Sequence, residues 1–102
     1  MASLAPVRER DFQAAVLQLA RLRGWLCGFT WRSWHSPYGE PDLRCVRWQG
    51  PGTGRCLWIE LKTARGQPTP EQYEWLWLGH LAGIETYLWT PDDWDEIQAV
   101  LR

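Results

Sequence analysis

The sequence predicts a mixed α/β fold with the element order α-β-β-β-α-β-α. An amphipathic helical pattern opens the chain and ends at a glycine, and three apolar runs separated by a loop and a glycine-rich turn follow it. Two Thr-Pro dipeptides then mark helix starts on either side of a fourth apolar run. At 102 residues the chain forms one domain, because it is long enough for one hydrophobic core and too short for two.

The first helix is predicted over residues 7–23. Its apolar residues recur near helical spacing, with small residues between them, at Phe12, Val16, Leu19 and Leu22. Pro6 is suited to the first helical turn, and Gly24 to a left-handed C-terminal cap. This element therefore has a start signal, an apolar face and a stop signal.

Three strands are predicted over residues 25–31, 42–48 and 55–63. The first strand is rich in aromatic residues, and a loop over 32–41 separates it from the second. Residues 49–54 contain three glycines and a proline, which is a turn composition. The second and third strands therefore form a hairpin.

Alternation along the third strand assigns its side chains to two faces. Leu57, Ile59 and Leu61 share one face, which anchors the strand in the core. The other face carries Glu60 and Lys62, together with Trp58. The acid and the amine therefore point the same way.

The second helix is predicted over residues 70–81, ending before Gly83. Thr69 is a good N-cap, Pro70 a good first helical residue, and Gln72 completes a capping box. A strand over 84–89 follows. Thr90 and Pro91 repeat the helix-start signal and open a last helix that runs to Leu101.

Composition favours a soluble intracellular protein. Apolar residues make up 45% of the chain and charged residues 23%. No apolar run approaches the roughly 18 residues that a membrane span needs, and the N-terminus lacks the apolar core of a signal peptide. We therefore expect a cytoplasmic protein without membrane contact.

The three cysteines lie far apart and include no C-x-x-C pair, so neither a disulfide framework nor a cysteine zinc site is indicated. Small buried apolar side chains are the simpler interpretation.

Charge is distributed unevenly although the net charge is only −1. Residues 1–55 carry eight arginines against four acids, and residues 56–102 carry three cations against eight acids. An arginine-bearing half is compatible with a surface for a phosphate backbone. An unevenly charged, solvated surface explains the same distribution.

Lys62 is the only lysine, whereas the chain has ten arginines. Arginine does not replace lysine where a compact point charge or a tunable proton is needed. Asp42 lies on the other arm of the hairpin that carries Glu60 and Lys62. Two carboxylates and one amine converging on short strands indicate a metal-dependent hydrolytic site.

Hydrolysis of a phosphodiester adds water to a centre shielded by negative oxygens. A divalent cation neutralises that charge and lowers the pKa of water. Mg²⁺ prefers oxygen ligands, which Asp42, Glu60 and the backbone carbonyl of Leu61 could supply; Mn²⁺ is the alternative ion. Lys62 could orient the water, help its deprotonation or stabilise the developing charge.

These residues resemble the signature of the PD-(D/E)xK nuclease superfamily. The surrounding sequence is similar to the virus-type replication-repair nuclease (VRR-NUC) family from about residue 8 to residue 101. The motifs that carry the resemblance are Gly39-x-Pro41-Asp42-Leu43, Trp58-Ile59-Glu60-Leu61-Lys62-Thr63, Gly66, and Pro70-Glu71-Gln72-x-x-Trp75.

The resemblance implies a restriction-endonuclease-like core and a Mg²⁺- or Mn²⁺-dependent DNA endonuclease. It implies branched substrates such as Holliday junctions, and a phage or prophage source. It also assigns roles to Glu9, as an outer-shell or second-metal carboxylate, and to Gln72, as an amide holding a water or a phosphate oxygen. Gln13, one turn after Glu9 on the same helix face, would support Glu9.

Other functions and simpler roles stay open. The same core occurs in restriction-type and end-processing nucleases, and a nuclease-fold subunit can act in binding or assembly with a partner. Asp42 suits a strand start after a proline turn, and Glu60 with Lys62 suits a surface pair. Glu9 favours the helix macrodipole, and Gln72 completes a capping box.

Nine tryptophans suggest two further interactions. Trp31 and Trp34, which flank Arg32, are candidates for stacking on nucleic-acid bases. The helix over 70–81 is apolar around more of its circumference than one core stripe needs. We therefore expect a homodimer, which would also set two active sites against two strands.

Overall fold

The computed structural model describes residues 7–30, 38–63 and 66–102. The predicted order of elements is confirmed. The helices are α1 (Glu9–Leu22), α2 (Pro70–Leu81) and α3 (Trp94–Leu101), with a short 3-10 turn (Pro91–Asp93) before α3. The strands are β1 (Leu26–Phe29), β2 (Leu43–Gly50), β3 (Thr53–Leu61) and β4 (Glu85–Trp89).

The four strands form one mixed sheet in the order β1-β2-β3-β4. β1, β2 and β3 are antiparallel neighbours, whereas β3 and β4 are parallel. A parallel pair needs a crossover connection, and α2 provides it. The mixed α/β class predicted from the sequence is thus found as an α+β fold with a four-stranded mixed sheet and three helices.

The main hydrophobic core lies between the sheet and the pair formed by α1 and α3. Leu57, Ile59 and Leu61 are fully buried there, as alternation along the third strand predicted. Trp25 closes one end of this core, where its indole Nε1 donates a hydrogen bond of 3.0 Å to the Leu101 carbonyl. The other buried members of the core are Phe12, Val16, Ala20, Leu43, Cys45, Trp89, Ile97 and Leu101.

The opposite face of the sheet is only partly covered by a helix. α2 packs over β3 and β4, where Gly79 lies so close to Trp58 that an added Cβ would be 2.5 Å from the indole ring. On the same face, the side chains of Leu26, Val46 and Trp48 on β1 and β2 are exposed. The part of this face that α2 covers therefore ends along one flank of the helix.

The local signals for turns and caps are confirmed with small shifts in their bounds. Gly24 has a left-handed φ of +85° after α1. The hairpin turn is tighter than predicted, because β2 continues to Gly50 and β3 begins at Thr53. Gly50 and Gly52 have positive φ values, which explains their place at this turn.

The three cysteines are all free. Cys45 is fully buried, and burial raises the pKa of its thiol well above the ordinary range. Cys27 and Cys56 are half-buried. Cys27 is directly opposite Cys45 in the ladder, with 3.4 Å between their sulfur atoms. The interpretation as small buried side chains is confirmed for Cys45 and holds in part for the others.

Within the described ranges, no helix is long and apolar enough to cross a membrane. The first strand was predicted to extend to Trp31, but β1 ends at Phe29. Trp31 and Trp34, the candidates for stacking on bases, lie outside the described residues, as does Arg32 between them.

Candidate functional site

Asp42 lies immediately before β2 and is fixed by backbone contacts on both sides. Thr30 holds this segment twice, because its N–H donates to the Asp42 carbonyl at 3.0 Å and its hydroxyl donates to the Pro41 carbonyl at 2.8 Å. The carboxylate reaches across the hairpin, where Asp42 Oδ2 accepts a 2.8 Å hydrogen bond from the Leu61 N–H. The carboxylate is therefore positioned beside the end of β3.

Glu60 is the buried charged residue of this part of the structure, with 1% of its surface exposed. Its Oε2 accepts a 2.6 Å hydrogen bond from Gln72 Nε2 and lies 3.5 Å from Lys62 Nζ. Its Oε1 is also buried but has no hydrogen-bond partner among the described residues. A buried carboxylate oxygen without a partner is costly, so its presence needs an explanation.

The environment of Glu60 raises the pKa of its carboxyl to about 8. Burial is the largest cause, because it disfavours the charged form. Asp42 acts in the same direction through its negative charge and through a side-chain hydrogen bond, which requires that one of the two carboxyls is protonated. Lys62 opposes both effects by favouring the carboxylate. A positive charge bound beside Glu60 would offset burial and the charge of Asp42, and would favour the carboxylate form.

Lys62 follows β3 and continues its pairing with β4, because its N–H donates to the Trp89 carbonyl at 2.9 Å. Its side chain lies on the same side of the sheet as Glu60, as alternation predicted, and 18% of it is exposed. The amine therefore stands between the buried carboxylate and solvent, a position from which it can contact a bound substrate.

The carbonyl of Leu61 faces the same side of β3 as the Asp42 carboxylate. The N–H and C=O of one residue in a strand point to the same neighbour. Because the Leu61 N–H points to Asp42 and the Lys62 N–H points to β4, the Leu61 carbonyl is directed to the Asp42 side. Asp42, Glu60 and this carbonyl therefore present oxygen atoms around the end of one strand.

Gln72 completes the predicted capping box and also contacts Glu60. Its Oε1 accepts a 2.8 Å hydrogen bond from the Thr69 N–H, and its own N–H donates to the Thr69 hydroxyl at 3.2 Å, which completes the capping box. Its Nε2 donates to Glu60. The two ends of the amide therefore serve different partners, and the contact with Glu60 differs from the predicted role of holding a water or a phosphate oxygen, which stays a prediction.

Glu9 makes no polar contact with the other predicted site residues, and its predicted role as an outer-shell or second-metal carboxylate stays a prediction. It is the exposed first residue of α1 and has no hydrogen bond or ion pair with any described residue. No group of three or more acids, histidines or cysteines that could hold a metal occurs among the described residues. The position of Glu9 at a helix start is explained by the helix macrodipole. Gln13 is half-buried on the same helix.

Gly39 connects the segment before Asp42 to α2, a role that the sequence motif did not reveal. Its φ is +83°, and an added Cβ would lie 2.4 Å from the Glu71 carbonyl carbon. One residue earlier, the Tyr38 carbonyl accepts a 3.0 Å hydrogen bond from Trp75 Nε1. The sequence shows a glycine ahead of Pro41-Asp42. It does not show that this glycine contacts Glu71, because that contact depends on the placement of α2.

The donor set fits a hard divalent cation. Mg²⁺ and Mn²⁺ favour carboxylate and carbonyl oxygens, and Mg²⁺ needs only one or two carboxylates because it retains several waters. A cation would provide a partner for the buried Glu60 Oε1 and would oppose the burial and the Asp42 charge that raise the pKa of Glu60. The residues that could hold it are Asp42, Glu60 and Leu61 through its carbonyl.

Comparisons with protein-family models, with curated proteins and with solved structures find no match. The function of the chain is therefore argued from its own residues and their geometry.

Proposed function

We propose that this protein is a metal-dependent DNA endonuclease that hydrolyses phosphodiester bonds at Asp42, Glu60 and Lys62. The observation that carries the proposal is the buried Glu60 carboxylate, which has one oxygen held by Gln72 and Lys62 and the other unpartnered beside Asp42. Perturbed carboxyl groups that converge with an amine are typical of catalytic sites. A simple surface ion pair would leave Glu60 solvated.

The chain's own residues would position the reacting groups. Asp42, Glu60 and the Leu61 carbonyl would hold Mg²⁺ or Mn²⁺, which supplies positive charge for phosphate oxygens and lowers the pKa of water. Gln72 fixes Glu60 through a neutral donor and adds no negative charge. Lys62 would orient the attacking water, help its deprotonation through its positive charge, or stabilise negative charge that develops on the phosphate.

Membership of the VRR-NUC family of PD-(D/E)xK nucleases is part of this proposal. The α-β-β-β-α-β order, the parallel pair of β3 and β4, and the convergence of the motif residues on the end of β3 support it. Glu9 has no part in the proposed mechanism, because it is exposed and makes no polar contact with the other motif residues. The substrate that this proposal implies is DNA inside the cell.

Branched DNA such as a Holliday junction is the proposed substrate, and a homodimer is the proposed form. Large apolar side chains are exposed along α2, at Tyr73, Trp77, Leu78 and Leu81. A two-fold dimer buries the same patch on both copies and aligns two active sites with two strands. A monomer of 12.0 kDa at micromolar concentration in light scattering would contradict the dimer.

The nuclease proposal is tested with labelled four-way junction, flap, duplex and single-stranded DNA. Each is incubated with Mg²⁺, Mn²⁺ or EDTA. We expect cleavage of branched DNA with either metal and none with EDTA. Arg21→Ala and Asp95→Asn are matched controls, since both residues are exposed on helices of the opposite layer. Binding of the same DNA without cleavage under any metal condition would favour a binding or assembly subunit instead.

A further inference from the structure

An aromatic groove lies along the flank of α2, next to the candidate site. Its volume is about 480 Å³, a size typical of pockets for small organic groups. The groove is lined by Tyr38, Trp58, Glu71, Glu74, Trp75 and Leu78. It occupies the position where α2 ends its cover of the sheet and the β1–β2 face begins.

The groove shares its walls with the elements that position Asp42 and Glu60. Trp58 precedes Glu60 by two residues on the same face of β3, a separation of about 7 Å along a strand. Glu71 directly precedes Gln72, which donates to Glu60. A nucleotide whose phosphate lies at Glu60 therefore has its base within reach of this groove.

Flat aromatic surfaces in the groove are fixed in place by tertiary contacts. Trp58 and Trp75 meet edge to face with 5.7 Å between their ring centroids. Trp75 is held further by its hydrogen bond to the Tyr38 carbonyl. Tyr38 itself is 90% exposed, so its ring is free to cover a guest. Aromatic faces of this kind stack on unpaired bases.

Two carboxylates add a polar requirement. Glu71 and Glu74 are exposed at the groove and form no ion pair with the described residues. They repel a phosphate backbone, but they accept hydrogen bonds from the exocyclic amino groups of adenine, cytosine and guanine. Arg44 faces Trp58 across the β2–β3 ladder and is 3.0 Å from Glu40 in an ion pair, so it reaches an adjoining phosphate only by exchanging this partner.

We propose that the groove binds an unpaired, amino-bearing nucleobase adjacent to the phosphate that is cut. This inference rests on the proposed nuclease function and narrows its substrate class. A base can enter the groove only if it is unstacked and unpaired, as occurs at branch points, flaps and single strands. The groove therefore selects DNA with a free nucleotide beside the cleavage position.

The first test removes the base and keeps the backbone. After the cleavage position is mapped, single abasic residues are placed on either side of it, and kcat/KM is measured. We expect an abasic residue on one side to lower kcat/KM by about 5- to 100-fold, in line with the effect of losing one stacked base. Tyr38→Ala should cause a similar loss on the intact substrate and little further loss on the abasic one.

A second readout does not depend on cleavage. The base analogue 2-aminopurine, which loses fluorescence when it stacks, is placed at the same position and titrated with protein in EDTA. We expect quenching with the parent and with Leu22→Ala, a control at an exposed apolar residue on α1. Tyr38→Ala should reduce the quenching, while circular dichroism and thermal unfolding show that this variant remains folded.

The outcomes separate the two proposals. Failure to cleave any DNA with Mg²⁺ or Mn²⁺ overturns the proposed function. Normal cleavage that ignores both the abasic residue and Tyr38→Ala overturns the groove assignment alone. If the double variant Glu71→Ala, Glu74→Ala, which lacks both acceptors, still favours an adenine or cytosine over a thymine at this position, the role of the acids is wrong. Aromatic side chains can also bind a methylated ammonium group. If the protein binds a trimethyllysine peptide, and Tyr38→Ala abolishes this binding without affecting DNA cleavage, the base assignment is overturned as well.

Discussion

Lys62 is the residue whose chemistry is hardest to replace, because it is the only ammonium beside a buried carboxylate. Its Nζ lies 3.5 Å from Glu60 Oε2, and 18% of its side chain is exposed. In the proposed mechanism, the side chain at this position must have the length to reach the substrate and a proton that it holds as an amine does. The ten arginines elsewhere in the chain do not supply such a group.

Replacing Lys62 tests whether the amine or merely the charge is needed. We expect Lys62→Ala to lower the single-turnover cleavage rate by roughly 100-fold or more, as for the loss of a positioned acid–base group. Lys62→Arg should not restore it, because a guanidinium is bulkier and keeps its proton. Arg21→Ala is the control. Full activity in Lys62→Arg would show that a positive charge suffices.

Glu60 should make the stability of the metal-free protein depend on pH. Its folded pKa of about 8 is above its ordinary value of 4.5, so the folded state binds more protons than the unfolded state between these values. The free energy of unfolding in EDTA should therefore fall as pH rises from about 4.5 to 8, by a few kcal/mol at most. Urea unfolding at several pH values measures this slope.

Glu60→Gln supplies the comparison for the pH slope, because glutamine has a similar shape and does not titrate. The difference in unfolding free energy between the parent and Glu60→Gln should change with pH over this window. A difference that stays constant from pH 5 to pH 8 would contradict the burial of an ionisable carboxyl at this position.

At the scale of elements, Gln72 at the start of α2 takes part in the helix cap and also donates a hydrogen bond to the buried Glu60. Thr69→Ala removes the hydroxyl that accepts the Gln72 N–H, and it should lower the free energy of unfolding by about 1 kcal/mol with little change in cleavage. Gln72→Glu keeps an oxygen for the cap but replaces the donor to Glu60 with a negative charge. We expect it to reduce cleavage strongly.

Chemical unfolding and cleavage rates measured on both variants distinguish these effects. Equal losses of stability and activity in Thr69→Ala and Gln72→Glu would mean that Gln72 acts only through the helix. A selective loss of activity in Gln72→Glu supports its role at the carboxylate.

The packing of α2 on β3 depends on a glycine in the middle of the helix. Gly79→Ala would place a Cβ 2.5 Å from the Trp58 ring and 3.2 Å from a Thr86 methyl carbon. Alanine ordinarily favours a helix over glycine by about 1 kcal/mol, but this clash should reverse the sign and destabilise the protein by about 1–3 kcal/mol. Thermal or urea unfolding measures the result.

Gly28→Ala is the matched control for Gly79→Ala. Its added Cβ would approach nothing closer than the Arg44 guanidinium at 4.0 Å. A stabilising Gly79→Ala would show that α2 does not lie this close to the sheet.

At the scale of the whole molecule, the sequence predicted features that depend on local patterns. The capping box at Thr69 and Gln72 and the shared face of Glu60 and Lys62 follow from residues a few positions apart, and the structure contains both. The antiparallel hairpin was likewise indicated by its turn composition, so the approach of Asp42 to β3 could be anticipated.

Features that depend on the crossover of α2 were not predictable from the sequence. The full burial of Glu60, the contact of Gly39 with Glu71 and the groove beside Trp58 all require that α2 be placed over β3 and β4. No spacing rule reports such placement. The exposed position of Glu9 also depends on helix placement, because α1 packs on the face of the sheet opposite to α2.

The uneven charge of the chain also has a structural meaning at this scale. Arg47 and Arg55, from the cationic half, lie on the core side and contact the Trp25 ring. Arg55 also forms a two-point ion pair with Glu85, and these contacts hold the pKa of the Glu85 carboxyl below its usual value. Part of the arginine excess therefore stabilises the fold and is unavailable for DNA.

The most direct test of the central claim is the Mg²⁺-dependent cleavage rate of a four-way junction by the parent and by Asp42→Asn, with Asp95→Asn as control. We expect the parent and the control to cut the junction with Mg²⁺ and to be inactive in EDTA. Asp42→Asn should lose activity by at least about 100-fold, since it removes a charged ligand from the proposed cation site. Undiminished Mg²⁺-dependent cleavage by Asp42→Asn would contradict the assignment of the active site.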